Sequence, residues 1–323
     1  MRKKIVLPVG VFLFVITILS LIQLKLDRPF ILAERFIKGA GWIEIIILAI
    51  YGSVVSYNMQ FPDKIPRWRL TTWTIFSVVF FSQLILGILV SDKFLMTGKL
   101  HLPVPAIILS GPIYRGEITF MVILFICTII LSGPAWCSHL CYFGAIDGIV
   151  SNKGINRGSL RSKMRVKHIV LLAIVMLTII FRILGIDHLF ATIGAIAFGT
   201  GGIVLIIIKS RKNGKMIHCI LYCPIGTVVN YLKHINPFRL RIGSQCTFCE
   251  SCSDVCRYDA LSLKDITAKK PGITCTLCGD CLQSCHVGAF YYKFYNFSPT
   301  FSHKLYLFIS LSIHTIFLAL ARI

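Results

Sequence analysis

Seven apolar runs of membrane-spanning length constrain this chain more than any other feature. They lie at residues 5 to about 24, 40–59, 70–90, 118–135, 168–184, 190–208 and 305–320. A helix needs about 20 such residues to cross the hydrocarbon core, where its backbone must satisfy its own hydrogen bonds. Composition agrees, with 56% of 323 residues hydrophobic and only 15% charged. That balance excludes a soluble domain. The expected fold class is a membrane all-α protein of six to seven transmembrane helices. The first run follows Met1-Arg-Lys-Lys and precedes no small-residue cleavage site, so it reads as a retained helix.

The net charge is +21. In a soluble chain this would suggest nucleic acid, but here the basic residues cluster in loops between apolar runs. Alternate loops carry Lys64, Arg67 and Arg69; then Lys153, Arg157, Arg161, Lys163, Arg165 and Lys167; then Lys209, Arg211, Lys212 and Lys215. The positive-inside rule explains these without a nucleic-acid partner and places those loops in the cytoplasm. The expected location is the inner (cytoplasmic) membrane. There is no Walker A motif, no GxGxxG and no nucleophile–His–carboxylate grouping, which excludes an ATPase, a Rossmann dehydrogenase and a hydrolase.

Thirteen cysteines are present, and eight fall in two dense runs. These are Cys246-x2-Cys249-x2-Cys252-x3-Cys256 and Cys275-x2-Cys278-x2-Cys281-x3-Cys285. Doubled spacing of this kind is the ligand pattern of a bacterial-type ferredoxin with two [4Fe–4S] cubanes. In that pattern the fourth Cys of each run serves the other cluster. The resemblance implies Cys246, Cys249, Cys252 and Cys285 on one cube, and Cys275, Cys278, Cys281 and Cys256 on the other. Structural zinc fits less well, since its paired CxxC units lack a third Cys two residues on. Arg257 and His286 stand where the ferredoxin pattern has Pro. So many thiols in metal spacing point to a reducing compartment. The sequence thus divides into a transmembrane domain over 1–235, a small α+β ferredoxin-like module over 236–297, and a C-terminal transmembrane helix over 298–323.

Two further pairs form an internal repeat. Trp136-Cys137-Ser-His-Leu-Cys141-Tyr-Phe-Gly144 and His218-Cys219-Ile-Leu-Tyr-Cys223-Pro224-Ile-Gly226 each read CxxxC with a Gly three residues on. Four soft thiolates on neighbouring helix ends suit an extra metal or redox site, while the plainer reading is reduced cysteines packed at helix ends. Two such motifs followed by a two-cubane domain resemble the NapH/NosR family of membrane iron–sulfur proteins, from the second span to Tyr292. The resemblance implies electron transfer between the quinone pool and a redox partner carrying flavin or haem. Tyr142 replaces the first motif's Pro, and neither a flavin-binding domain nor an S-G-A-T sequence is found. The chain is thus similar to the short form, an electron-transfer subunit that needs separate partners.

Other residues are candidates for a quinol site: Glu44, His101, Tyr114, Arg115 and Glu117, around a short apolar segment at 106–110. Hydrogen bonds from such groups orient ring hydroxyls, and a base takes the proton. A capping loop with an Arg115–Glu117 pair is the plainer reading. Cys127, in mid-span, reads as a packing residue, and His314 as a hydrogen-bonded helix contact within the last span. Two rival functions remain at this level. One is a copper reductase or assembly factor using the CxxxC thiols, and the other is a membrane redox sensor.

Overall fold

The computed structural model describes residues 2–26, 29–91, 94, 102, 104–118, 120–155 and 158–320. Among the described residues, seven helices are long and apolar enough to cross a membrane: Lys4–Lys25, Ala40–Met59, Pro62–Leu89, Val122–Leu140, Arg161–Ile183, His188–Asn213 and Pro299–Ala319. The protein is mostly helical, compatible with a multi-pass membrane protein.

In chain order the helices are α1 (Arg2–Lys25), α2 (Ala40–Met59), α3 (Ile65–Leu89), α4 (Ile107–Arg115), α5 (Phe120–Ser132), α6 (Tyr142–Asn152), α7 (Met164–Ile183), α8 (His188–Leu205), α9 (Arg211–Asn213) and α10 (Pro224–Leu232). Strand β1 (Phe238–Ile242) follows, then α11 (Ser251–Val255), α12 (Leu263–Thr267), α13 (Asp280–Ser284), β2 (Phe290–Phe294) and α14 (Pro299–Ala319). Helix α3 begins ahead of the apolar run, because Pro66 in its first turn suits a helix start and carries Arg67 and Arg69 into the helix. The segment at 106–110 continues as α4 through Gly111-Pro112 to Arg115, too short to span.

Helices α1, α2 and α14 pack together around Val11, Val15, Ala49 and Leu311. The fourth span is central, 61% buried, whereas the fifth and sixth are 11% and 17% buried and turn most of their apolar surface outward. Cys127 is exposed on α5, so it faces away from the protein instead of packing within it. The two strands pair antiparallel, Phe238 opposite Phe294 and Ile242 opposite Phe290, and lay Phe238, Leu240, Phe290 and Tyr292 into the core shared with α14. This hairpin brackets both dense cysteine runs and sets them against the helices.

Candidate metal centres

The two cysteine runs fold alike. Left-handed residues recur at matching positions: Phe248 (φ 56°) and Leu277 (φ 58°), Glu250 (φ 60°) and Gly279 (φ 85°), Asp259 (φ 52°) and Gly288 (φ 61°). For a non-glycine residue this conformation costs roughly 1–2 kcal/mol, so such a repeat signals a loop shaped for something it must wrap. After the third turn the amide of Ala260 donates to Cys256 Sγ (3.3 Å) and that of Ala289 to Cys285 Sγ (3.2 Å). The runs are thus two copies of one thiol-presenting turn.

The eight thiols sort into two crossed sets. Cys252 lies in the electrostatic field of Cys246, Cys249 and Cys285. Cys281 lies in that of Cys278, Cys275 and Cys256. Cys256, Cys275, Cys278 and Cys281 line one cavity, beneath Tyr258 and Leu261. The environments differ. Cys249 is exposed, and the Ser251 amide and hydroxyl hold its thiol below the ordinary range. Burial instead pushes Cys256 up to about 12 and raises Cys278 and Cys281 as well. Burial also raises Cys275, with the nearby Lys233 ammonium opposing.

The buried set is fastened to the membrane helices. Arg69 of α3 forms a two-pronged ion pair with Asp280 (2.9 and 2.6 Å), its side chain 6% exposed. Two further pairs, Arg161–Asp265 and Lys215–Asp259, also join loop cations to the module's carboxylates. Hydroxyls hold the loop itself. Ser138 donates to Thr276 O (3.0 Å), and Tyr292 and Tyr306 both donate to Leu277 O (2.8 Å each).

The first Cys of each CxxxC pair lies in a π-helical turn, Trp136–Leu140 or His218–Tyr222, a feature common at functional sites. The second Cys of each pair then caps the next helix. Gly144 N–H donates to Cys141 Sγ and Gly226 N–H to Cys223 Sγ, both at 3.4 Å. Glycine is required at both places. A Cβ on Gly144 would lie 3.0 Å from Cys137 O and 2.6 Å from the Trp73 ring, and one on Gly226 2.7 Å from Cys219 O. Trp73, 0% exposed, also donates its indole N–H to Cys141 O (2.8 Å).

The two turns pack together, for Cys137 and Cys141 of one share a buried cluster with Cys223 of the other. Burial pushes Cys141 up to about 11 and Cys223 to about 12. Asp147 of α6 crosses to the other turn and accepts the Cys219 amide (3.0 Å), and burial pushes it up to about 6. The ligand atoms of Asp147, His218 and Cys219 lie within 4.8 Å of one another. Asp147, Trp73 and Tyr258 carry no sequence signal of this role, because each acts on residues more than sixty positions away.

Two of the quinol candidates hydrogen-bond to different parts of the chain. Glu44 accepts the Ala33 amide (2.6 Å), while Tyr114 donates to Ile186 O in the α7–α8 turn (2.7 Å). The Arg115 side chain folds back over Gly111, Glu117 is exposed, and His101 lies outside the described residues. Glu44 and Tyr114 thus bond to different parts of the chain. His314 is buried, with Nδ1 3.0 Å from His139 O and Nε2 3.0 Å from Tyr51 Oη. A carbonyl only accepts, so Nδ1 carries the proton and Tyr51 donates to Nε2.

Residues 116–163 match the sequence model of a 4Fe-4S binding domain. The match covers α5, the first π-turn and α6, and so includes Cys137 and Cys141. It supports an iron–sulfur protein. No curated protein and no solved structure matches the chain.

Proposed function

We propose that this chain is a membrane electron-transfer protein that holds two [4Fe–4S] clusters over residues 246–285 and passes electrons between the quinone pool and a redox partner. The observation that carries this reading is the repeat of left-handed turns over both runs, together with a cavity where Cys256 of the first run joins Cys275, Cys278 and Cys281 of the second. The donors are all sulfur, and amides aim at Cys256 and Cys285, the chemistry a cubane takes. Cys246, Cys249, Cys252 and Cys285 would hold one cluster, and Cys256, Cys275, Cys278 and Cys281 the other. Bound there, the clusters would supply one-electron transfer.

The chain's own residues then do three things. Arg69, Arg161 and Lys215 fix the module against the helices, so electron distances do not fluctuate. Tyr258, Leu261 and Leu277 keep water from the deeper set. The Lys233 ammonium near Cys275 offsets thiolate charge there. The loop cations favour a module facing the cytoplasm, where a flavin- or haem-bearing partner would meet the exposed Cys249 side.

The test is anaerobic electron paramagnetic resonance of the purified chain, comparing menaquinol with dithionite. Reduction by menaquinol is the expected result. Reduction by dithionite alone would remove the quinone pool from the reading. A second reading, the handling of a metal such as copper, is favoured by the convergence of Asp147, His218 and Cys219. It predicts copper bound by the purified chain and lost in Cys219→Ser.

A further inference from the structure

The CxxxC thiols remain outside the two sets just described, and they share several properties with them. Each pair presents one Cys inside a π-turn and one at a helix start that receives an amide N–H. Cys137, Cys141 and Cys223 share one buried cluster, and Cys219 packs on the cluster of Trp73 and Tyr258 beside it. Their spread is informative. Zinc–sulfur bonds of about 2.3 Å put the sulfurs of a mononuclear site roughly 3.8 Å apart. Among the described residues, the side chains that close to within 4.8 Å as a group of three are Asp147, His218 and Cys219, not three thiols. That group takes one thiol with a carboxylate and an imidazole, a different donor set from the four CxxxC thiols. The match to a 4Fe-4S binding domain falls on this region and includes Cys137 and Cys141.

A connection runs from here to the buried set. Trp73, Ala145, Met216 and Tyr258 form one buried cluster, and Cys219 packs on it together with Cys256 and Cys278. Tyr258 donates its hydroxyl to Cys137 O (2.8 Å) and lies in the field of both Cys219 and Cys278. Two thiol sets thus share one aromatic wall.

We propose that Cys137, Cys141, Cys219 and Cys223 hold a third [4Fe–4S] cluster, placed in series with the set at Cys256, Cys275, Cys278 and Cys281. The site stands on its own residues, but its role as a relay rests on the two-cluster reading above. One electron leaves the reduced CxxxC centre and one enters the neighbouring oxidised centre, with no atom or proton exchanged between them. In the repeat, Trp136 and Val229 stand where the second turn has His218 and the first helix has Asp147. The asymmetry leaves the four-sulfur set intact and gives one corner a carboxylate and an imidazole beside it.

The test is a count of iron, acid-labile sulfide, copper and zinc per full-length chain, purified without oxygen. About twelve irons and twelve sulfides are expected, since three cubanes carry four of each. The variant C137A/C223A should fall to about eight, and Cys252→Ser also to about eight, each checked for a native size-exclusion profile. The native count needs no variant, so a misfolded mutant leaves the proposal falsifiable. About eight irons in the native chain, unchanged in C137A/C223A and near four in Cys252→Ser, would overturn the third cluster and leave the two-cluster reading standing. One copper or zinc lost with C137A/C223A, beside eight irons, overturns it in favour of a mononuclear site. About four irons lost with C137A/C223A but kept in Cys252→Ser support the site and remove the two-cluster reading. As an independent readout, the dithionite-reduced resonance spectrum should show spin coupling that simplifies in C137A/C223A.

Discussion

The two dense cysteine runs have the same spacing and the same backbone turns, yet the tip of the first is exposed and that of the second is buried against membrane helices. Phe248 and Leu277 take the same left-handed angle, but Phe248 is 45% exposed and Leu277 4%. What separates them is not local. Arg69, Ser138 and Tyr306 all reach the second run from other parts of the chain. Spacing therefore sets how a thiol is presented, while packing from distant residues sets its surroundings. If both runs hold clusters, the deeper one faces the membrane domain and the exposed one faces a partner.

The sharpest way to break that comparison is to remove one thiol from each run. Cys252→Ser and Cys281→Ser should each lose about four irons, because a cubane needs its full ligand set. Cys281→Ser should also lower the apparent Tm further, since cluster binding is coupled to folding and its turn anchors the module. Equal Tm values would mean that the clamp does not distinguish the two sites.

Next in size is the clamp itself. Arg69→Met leaves Asp280 largely buried without its partner, which costs about 3–5 kcal/mol. Arg161→Met should cost about 1 kcal/mol or less, because the Arg161 side chain is 39% exposed and water screens the pair. Chemical denaturation of the solubilised variants reads both. A loss at position 161 as large as that at 69 would sink the idea that depth decides the clamp's strength.

Thiol reactivity in the cluster-free chain gives a third comparison. Only the thiolate attacks iodoacetamide. The Cys249 thiol is held below the ordinary range, so its rate should plateau at a lower pH than that of a free cysteine. Cys256, pushed up to about 12, should still be gaining rate with pH beyond that plateau. Mass spectrometry of the labelled peptides should find Cys249 modified first at neutral pH and Cys256 among the last.

Much of this architecture can be read from the residues, and the limits of that reading have a physical origin. Apolar runs declare helices, because a 20-residue hydrophobic stretch has few other solutions. The dense cysteine spacing marks the segments where tight turns occur, since closely spaced residues that share a site force the backbone to curl. Helix starts are less legible, as α3 shows: its first turns hold Pro66 and carry Arg67 and Arg69, ahead of the apolar run. Least legible are partners. Arg69, Arg161 and Lys215 read as charges that orient loops, and nothing local announces Asp280, Asp265 and Asp259 as their counterparts. Asp147 beside Cys219 and Tyr258 beside Cys137 are likewise meetings of distant segments. Period and spacing encode neighbours along the chain, whereas these pairs are set only when helices pack.

The smallest expected effect tests whether redundancy protects the buried loop. Leu277 O accepts two phenol hydroxyls, from Tyr292 and Tyr306, whereas Tyr258 is the donor to Cys137 O. Removing a hydroxyl that alone among side chains serves a buried acceptor costs about 1–3 kcal/mol, while an acceptor shared by two hydroxyls keeps one. Tyr258→Phe should therefore destabilise the chain by about 1–3 kcal/mol, and Tyr292→Phe by about 0.5 kcal/mol or less. Adding Tyr306→Phe to Tyr292→Phe should cost more than the two single changes summed, since only the pair strips the carbonyl bare. Simple additivity in that cycle would show that the second hydroxyl is not a reserve, and that the deeper run relies on its ion pair, the Ser138 bond and its apolar wall.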